Sequence, residues 1–123
     1  MIKIKTIKSK SGSLHVLEKF PFKIERIYYL NDLKKNTFRT AHAHKKLKQI
    51  LICTSGKFEI NLETRKGKIK KIFKKNKVII IDILTWRSIK SIEKNSTLLV
   101  LASAKYDKKD YIRDYKKFVN LIK

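Results

Sequence analysis

Before residue 107 the chain shows almost no helical periodicity. Short segments rich in β-branched and aromatic residues recur instead, each cut off by a turn-forming residue. Lys23 to Leu30 (Lys-Ile-Glu-Arg-Ile-Tyr-Tyr-Leu) alternates so that Ile24, Arg26 and Tyr28 share one face and Ile27 and Tyr29 the other. Further strands are predicted over Met1 to Ile7, from Leu14 to Leu17, and over Lys57 to Leu62, Ile69 to Phe73, Val78 to Leu84, Ile89 to Ile92 and Thr97 to Ala102. Turns or breaks fall at Lys8 to Ser13, Pro21, the polar stretch Asn31 to Asn36, Glu63 to Lys68 around Gly67, Asn76, and Asn95-Ser96. Ala41 to Thr54 holds two strands with a bend near Lys45-Lys46. Only Asp107 to Ile122 spaces its apolar residues (Tyr111, Tyr115, Phe118, Val119, Ile122) as a helix does. The expectation is an all-β sandwich or barrel ending in one helix, with residues 1–123 forming a single domain.

Composition narrows the function. With 42% apolar residues the chain can bury a core, and no run approaches the 18 apolar residues of a membrane span. The N-terminus alternates like a strand and lacks the apolar region of a signal peptide. Cys53 has no cysteine to pair with and sits among apolar neighbours, which suggests a reduced, buried thiol and a cytoplasmic protein. The net charge is +22, but only five of the 32 basic residues are arginines, and the lysines are spread over nearly every segment. That distribution is a solvated surface rather than a clustered phosphate-reading patch, so nucleic acid is not the expected partner, and without an apolar span neither is a membrane. The field would still draw in a small anion.

Two of the three histidines lie two residues apart, in Arg39-Thr40-Ala41-His42-Ala43-His44. On a strand, residues i and i+2 point to one side, so His42 and His44 would project together. Such a pair serves either a metal or acid/base chemistry, and the neighbours decide which. The frame His-x-His, then Gln49, then Gly56 resembles the first motif of the cupin superfamily, whose metal-binding members have Glu where Gln49 stands and a further His in a second motif. Here the second region, around Trp86, offers Arg87. A neutral amide is a poor ligand for a transition metal and a guanidinium is repelled by one, so no metal is expected.

Longer stretches resemble one family, the sugar 3,4-ketoisomerases that act on dTDP-4-keto-6-deoxyglucose. They are Gly12-Ser13-Leu14 with Glu18, Pro21 to Tyr29, Arg39 with His42-Ala43-His44-Lys45, Gln49 to Gly56, Trp86, Leu99 to Ser103, and Tyr106-Asp107-Lys108-Lys109-Asp110-Tyr111-Ile112-Arg113. The resemblance implies a cupin jelly-roll barrel and a homodimer that exchanges N-terminal strands. It also implies a cofactor-independent movement of a carbonyl from C4 to C3 of a dTDP-linked 6-deoxyhexose. Its product would go to a PLP-dependent aminotransferase that makes a 3-amino sugar for surface glycans.

By the same resemblance His42 is the leading acid/base and His44 its partner. Imidazole suits the task because it ordinarily titrates near working pH. Tyr28 would donate to the sugar oxygens or shuttle a proton between them. Arg26 could hold the sugar or the diphosphate, and Arg39, with its fork of donors, is the better diphosphate partner. Trp86 would be a wall of the barrel or a stacking surface for the ligand. Arg87, where other members can carry His, is expected near the sugar; with one imidazole fewer to donate a proton, the gluco-configured product is expected over the galacto. His15 is expected at the surface or an interface. Thr40 stands where the family has glycine, and Ser11 where a larger residue is usual. The competing readings are a non-enzymatic basic binding module and a metal-dependent cupin oxygenase.

Overall fold

The structure, a computed structural model, describes residues 2–123, the side chain of Thr40 excepted. β1 (Lys5–Ser9) and β2 (Gly12–Val16) form a hairpin of their own. Eight strands follow: β3 (Arg26–Leu33), β4 (Phe38–His44), β5 (Gln49–Ser55), β6 (Lys57–Thr64), β7 (Gly67–Lys74), β8 (Val78–Ile81), β9 (Trp86–Ser91) and β10 (Ser96–Ala102). A two-residue strand, β11 (Tyr111–Ile112), and a helix, α1 (Tyr115–Ile122), complete the chain. The eight strands divide four and four. One sheet has the order β3-β10-β5-β8, and the other runs β4-β9-β6-β7 with β11 added at its β4 edge. This is the expected all-β, jelly-roll architecture, built as two facing antiparallel sheets rather than one continuously bonded cylinder.

Alternation explains what lies between the sheets. Leu51, Cys53, Leu98, Val100 and Ile81 from one sheet meet Phe58, Ile60, Phe73 and Ile89 from the other. Along the inward face of β5 the residues change from Gln49 to Leu51 and Cys53, and along that of β9 from Arg87 to Ile89. One end of the sandwich is therefore packed and apolar, and the other opens into a cavity where polar side chains join apolar ones.

The outward faces are covered in part. Ile50, Ile52 and Leu101 pack under Ile2, Ile4, Leu17, Phe22 and Ile24 of the N-terminal segment. Ile24 thus leaves the face expected of it: β3 begins only at Arg26, and the alternation of Arg26 and Tyr28 against exposed Ile27 and Tyr29 does not extend back to it. On the other sheet, fully buried Phe118 of α1 sits on Ala43 and Ile112, with Trp86 and Val119 around it. Burying such a ring contributes about 2–3 kcal/mol.

Several boundaries differ from expectation. The first strand starts at Lys5 rather than Met1, which lies outside the described residues. β3 continues to Leu33 through the polar stretch expected to be a loop. An irregularity in its pairing with β10, and a left-handed Asp32 (φ 53°), let it do so. β8 stops at Ile81, where Asp82 turns back to accept from the Ile83 amide (2.7 Å). β9 starts at Trp86, three residues before the strand expected at Ile89. Asp107 to Asp114 is not α-helical. It forms a 3-10 turn and then β11, and α1 begins only where Asp114 caps it by accepting from the Lys116 amide (2.9 Å). Among the described residues no helix is long and apolar enough to cross a membrane.

Candidate active site

The polar end of the sandwich is organised by an irregularity in β4. Arg39 pairs with Ile89 and His42 with Arg87, so three steps along β4 match two along β9. The extra residue lets Arg39 and His42, an odd number of positions apart, both face inward with Ile89 and Arg87. His44 follows two positions later, paired with Tyr111 of β11, while Ala43 between them faces α1. The expected juxtaposition of the two histidines is present: their rings lie 4.9 Å apart, edge to face at 88°. Tyr111 completes the cluster, 5.1 Å from His42 and 4.3 Å from His44.

His42 and Tyr111 border a cavity of about 600 Å³. Its polar lining includes Arg26, Tyr28, His42, Gln49, Arg87 and Tyr111, and the exposed Arg39 and Arg113 border it too. His42 and Tyr28 reach it from opposite sheets. The guanidinium of Arg26 lies over the Tyr28 ring at 4.9 Å, and that of Arg113 over Tyr111 at 4.4 Å.

His44 is almost completely buried, and its Nδ1 lies 3.1 Å from Oδ2 of Asp110. Asp110 is fixed in turn by the amides of Lys46 (2.8 Å) and Leu47 (3.1 Å) at the bend between β4 and β5. Burial, reinforced by Arg87 and His42, pulls His44 down to about 4 even though Asp110 pulls the other way. His44 is therefore a neutral imidazole near pH 7, with its proton on Nδ1 and a bare Nε2 that has no hydrogen-bond partner.

A second network crosses the cavity floor. Arg87 donates through Nη1 to Oε1 of Gln49 and through Nη2 to the carbonyl of Thr85 (3.0 Å), and Gln49 donates through Nε2 to the Tyr28 hydroxyl (3.0 Å). Burial raises the Tyr28 phenol above its usual range, against the lowering effect of Arg26, so it stays protonated near neutrality. Burial lowers Arg87 to about 10, which leaves it charged at pH 7.

Six of the seven residues singled out from the sequence gather at this end: Tyr28, Arg26, Arg39, His42 and Arg87 on the cavity, and His44 directly behind it. Trp86 does not join them. It alternates with Arg87 on β9, so it points to the opposite side of the sheet, where it packs on Tyr115 (5.3 Å) and Phe118 (5.5 Å) of α1. A stacking role toward a ligand in the cavity is thereby corrected to anchoring the helix. His15 lies exposed on the N-terminal hairpin, with Nδ1 3.0 Å from the Thr6 hydroxyl. Asp110, Tyr111 and Arg113 are not among the site residues the sequence points to, because the apolar spacing from residue 107 on reads as helix. The Tyr-Asp-x-x-Asp-Tyr-Ile-Arg run was the available signal. Among the described residues no three His, Cys, Asp or Glu side chains gather as metal ligands.

Comparison with known proteins agrees with this geometry. The family model described as "FdtA: WxcM-like, C-terminal" matches residues 1–123. The chain belongs to this family. It is 34% identical to the TDP-4-oxo-6-deoxy-alpha-D-glucose-3,4-oxoisomerase of Aneurinibacillus thermoaerophilus, over 99% of this chain and 91% of that one. Among solved structures, the TDP-quinovose 3,4-ketoisomerase WlaRB of Campylobacter jejuni superposes with a TM-score of 0.88 at 38% identity, covering 96% of this chain and 94% of the other. The sugar 3,4-ketoisomerase QdtA of Thermoanaerobacterium thermosaccharolyticum, solved in complex with TDP, gives 0.90 at 37% identity, covering 98% and 91%. The kinship with sugar 3,4-ketoisomerases expected from the sequence thus holds over nearly the whole of this FdtA-family chain.

Proposed function

We propose that this FdtA-family chain converts TDP-4-keto-6-deoxyglucose to a TDP-3-keto-6-deoxyhexose, without a cofactor, in the cytoplasm. The observation that carries the reading is the placement of one imidazole, His42, and one phenol, Tyr28, on opposite walls of one cavity. The C3–H bond, acidified by the neighbouring C4 ketone, breaks toward His42 as the C4 oxygen receives a hydrogen bond and then a proton from Tyr28. The resulting enediol recovers a carbonyl at C3 when the C3 hydroxyl returns its proton to Tyr28 and His42 delivers one to C4. Atoms and charges balance, and both residues end as they began.

Neutral His44 and Tyr111 pack against the His42 ring and hold it in position. Arg39 takes the diphosphate, Arg26 holds the sugar, and Arg87 supports a gluco-configured product by leaving His42 as the proton donor to C4. The product suits a PLP-dependent aminotransferase making a 3-amino sugar. A homodimer exchanging N-terminal strands fits the apolar side chains left open on the outer face of β3, Ile27 at 62% and Tyr29 at 65% exposure, and on the hairpin, Ile7 at 49% and Leu14 at 58%.

The test is incubation with TDP-4-keto-6-deoxyglucose in D₂O, followed by NMR, beside a His42→Asn variant. A 3-keto sugar carrying deuterium at C4, formed about 10²-fold or more slowly by the variant, is the expected result. Its C4 configuration decides between gluco and galacto. A folded protein that catalyses neither exchange nor isomerisation would overturn the reading.

A further inference from the structure

The hydrogen bonds that run from Arg87 to Tyr28 permit only one polarity. A guanidinium has donors and no acceptor, so the Gln49 amide must present its oxygen to Arg87. Reversing the amide would set its NH₂ against N–H groups. Nε2 is thereby turned onto the Tyr28 hydroxyl at 3.0 Å, and because an amide NH₂ only donates, the phenol oxygen accepts. The Tyr28 proton has to point elsewhere. The ring packs against the apolar core, so the open cavity is the side on which an acceptor can stand. Gln49 is itself only 4% exposed and Arg87 5%, so water does not compete for this arrangement.

We propose that Gln49, locked by Arg87, is a positioning residue that keeps Tyr28 a hydrogen-bond donor into the cavity, aimed at the substrate oxygen on which charge develops. The inference rests on the ketoisomerase reading and adds a residue to it. It also explains why an amide suits this position better than a carboxylate. A carboxylate would satisfy Arg87 with one oxygen and draw in the Tyr28 proton with the other.

Two variants separate this role from mere packing. Gln49→Glu preserves volume and gives Arg87 an oppositely charged partner, so it should match or exceed the wild type in resistance to urea. Gln49→Met removes both hydrogen bonds and strands the buried guanidinium, so it should be less stable, but it leaves the phenol free to donate. Packing alone predicts that activity follows stability. The proposed role predicts the reverse order: kcat falls about 10²-fold in Gln49→Glu, with KM changed far less, and falls less in Gln49→Met. In a Tyr28→Phe background Gln49→Glu should cause no further loss of residual kcat. A Gln49→Glu enzyme with wild-type kcat, or an equal loss in the Tyr28→Phe background, would overturn the proposal. If Gln49→Met fails to fold, the other two comparisons still decide it.

Wild-type turnover of TDP-4-keto-6-deoxyglucose, measured alongside, tests the ketoisomerase reading separately. Without turnover, titration of ¹³C-labelled tyrosine by NMR in the free protein reads the contact directly. Tyr28 should ionise at higher pH in Gln49→Glu than in the wild type, and an unmoved titration would overturn the proposal.

Discussion

His44 and Asp110 stand 66 residues apart in sequence and 3.1 Å apart in space, and they show how much chemistry here is set by single contacts. Asp110 accepts from two backbone amides and from His44, so an Asp110→Asn change turns an NH₂ toward a backbone amide that can only donate. We expect it to cost about 1–3 kcal/mol in urea unfolding and to shift the His44 proton from Nδ1 to Nε2, visible by ¹⁵N NMR. The pH dependence has a definite sign. Unfolded His44 takes up its proton near 6.5 and folded His44 only near 4, so between these values the unfolded state binds more protons and stability rises with pH. Acidification from about pH 6.5 to 4 should therefore destabilise the protein, and His44→Gln should flatten that slope in urea titrations. At this scale the histidine pair was legible because it depends only on the period of a strand. The partners of His44 were not, since a carboxylate from residue 110 meets it only through tertiary structure.

At the scale of elements, most strands could be read from alternation and turn residues, with ends displaced by a few positions. The failure at Asp107 to Asp114 has a physical cause. Tyr111 and Phe118 are seven residues apart, as on a helix, yet both are placed by tertiary contacts, Tyr111 among the histidines and Phe118 under α1. The side taken by Trp86 is hidden for a similar reason, because its alternation with Arg87 allows only one of them into the cavity, and which one depends on the register of β9. The turn between β5 and β6 is the element most exposed to disruption. Gly56 has φ +75°, and a Cβ there would lie 2.1 Å from the Ser96 hydroxyl and 2.6 Å from its Cα. Ser96 cannot retreat, being fully buried and bonded to the Glu93 carbonyl (2.7 Å) and the Lys57 amide (3.1 Å). Gly56→Ala should lose about 3 kcal/mol or more, seen as a lower urea midpoint at an unchanged m-value. Phe118→Ala, which detaches α1 from Ala43 and Ile112, should lose about 3–5 kcal/mol.

On the scale of the whole molecule, a charge of +22 is carried mainly by lysines distributed over the surface. Such a field acts on encounter rather than on chemistry, because salt screens it beyond about 8 Å at physiological ionic strength. For an anionic nucleotide sugar, kcat/KM should fall as sodium chloride is raised from about 0.05 to 0.5 M while kcat stays level. Arg39→Ala should weaken that dependence. The same long-range architecture sets the order in which the site can come into being during synthesis. Every other member of the histidine cluster is translated early, but Asp110 and Tyr111 arrive with the final strand. A nascent chain whose residues beyond 106 are still inside the ribosome can pair its sheets, yet it holds an untethered His44 and an incomplete cavity wall. Catalysis therefore waits for residues 107–113 to emerge.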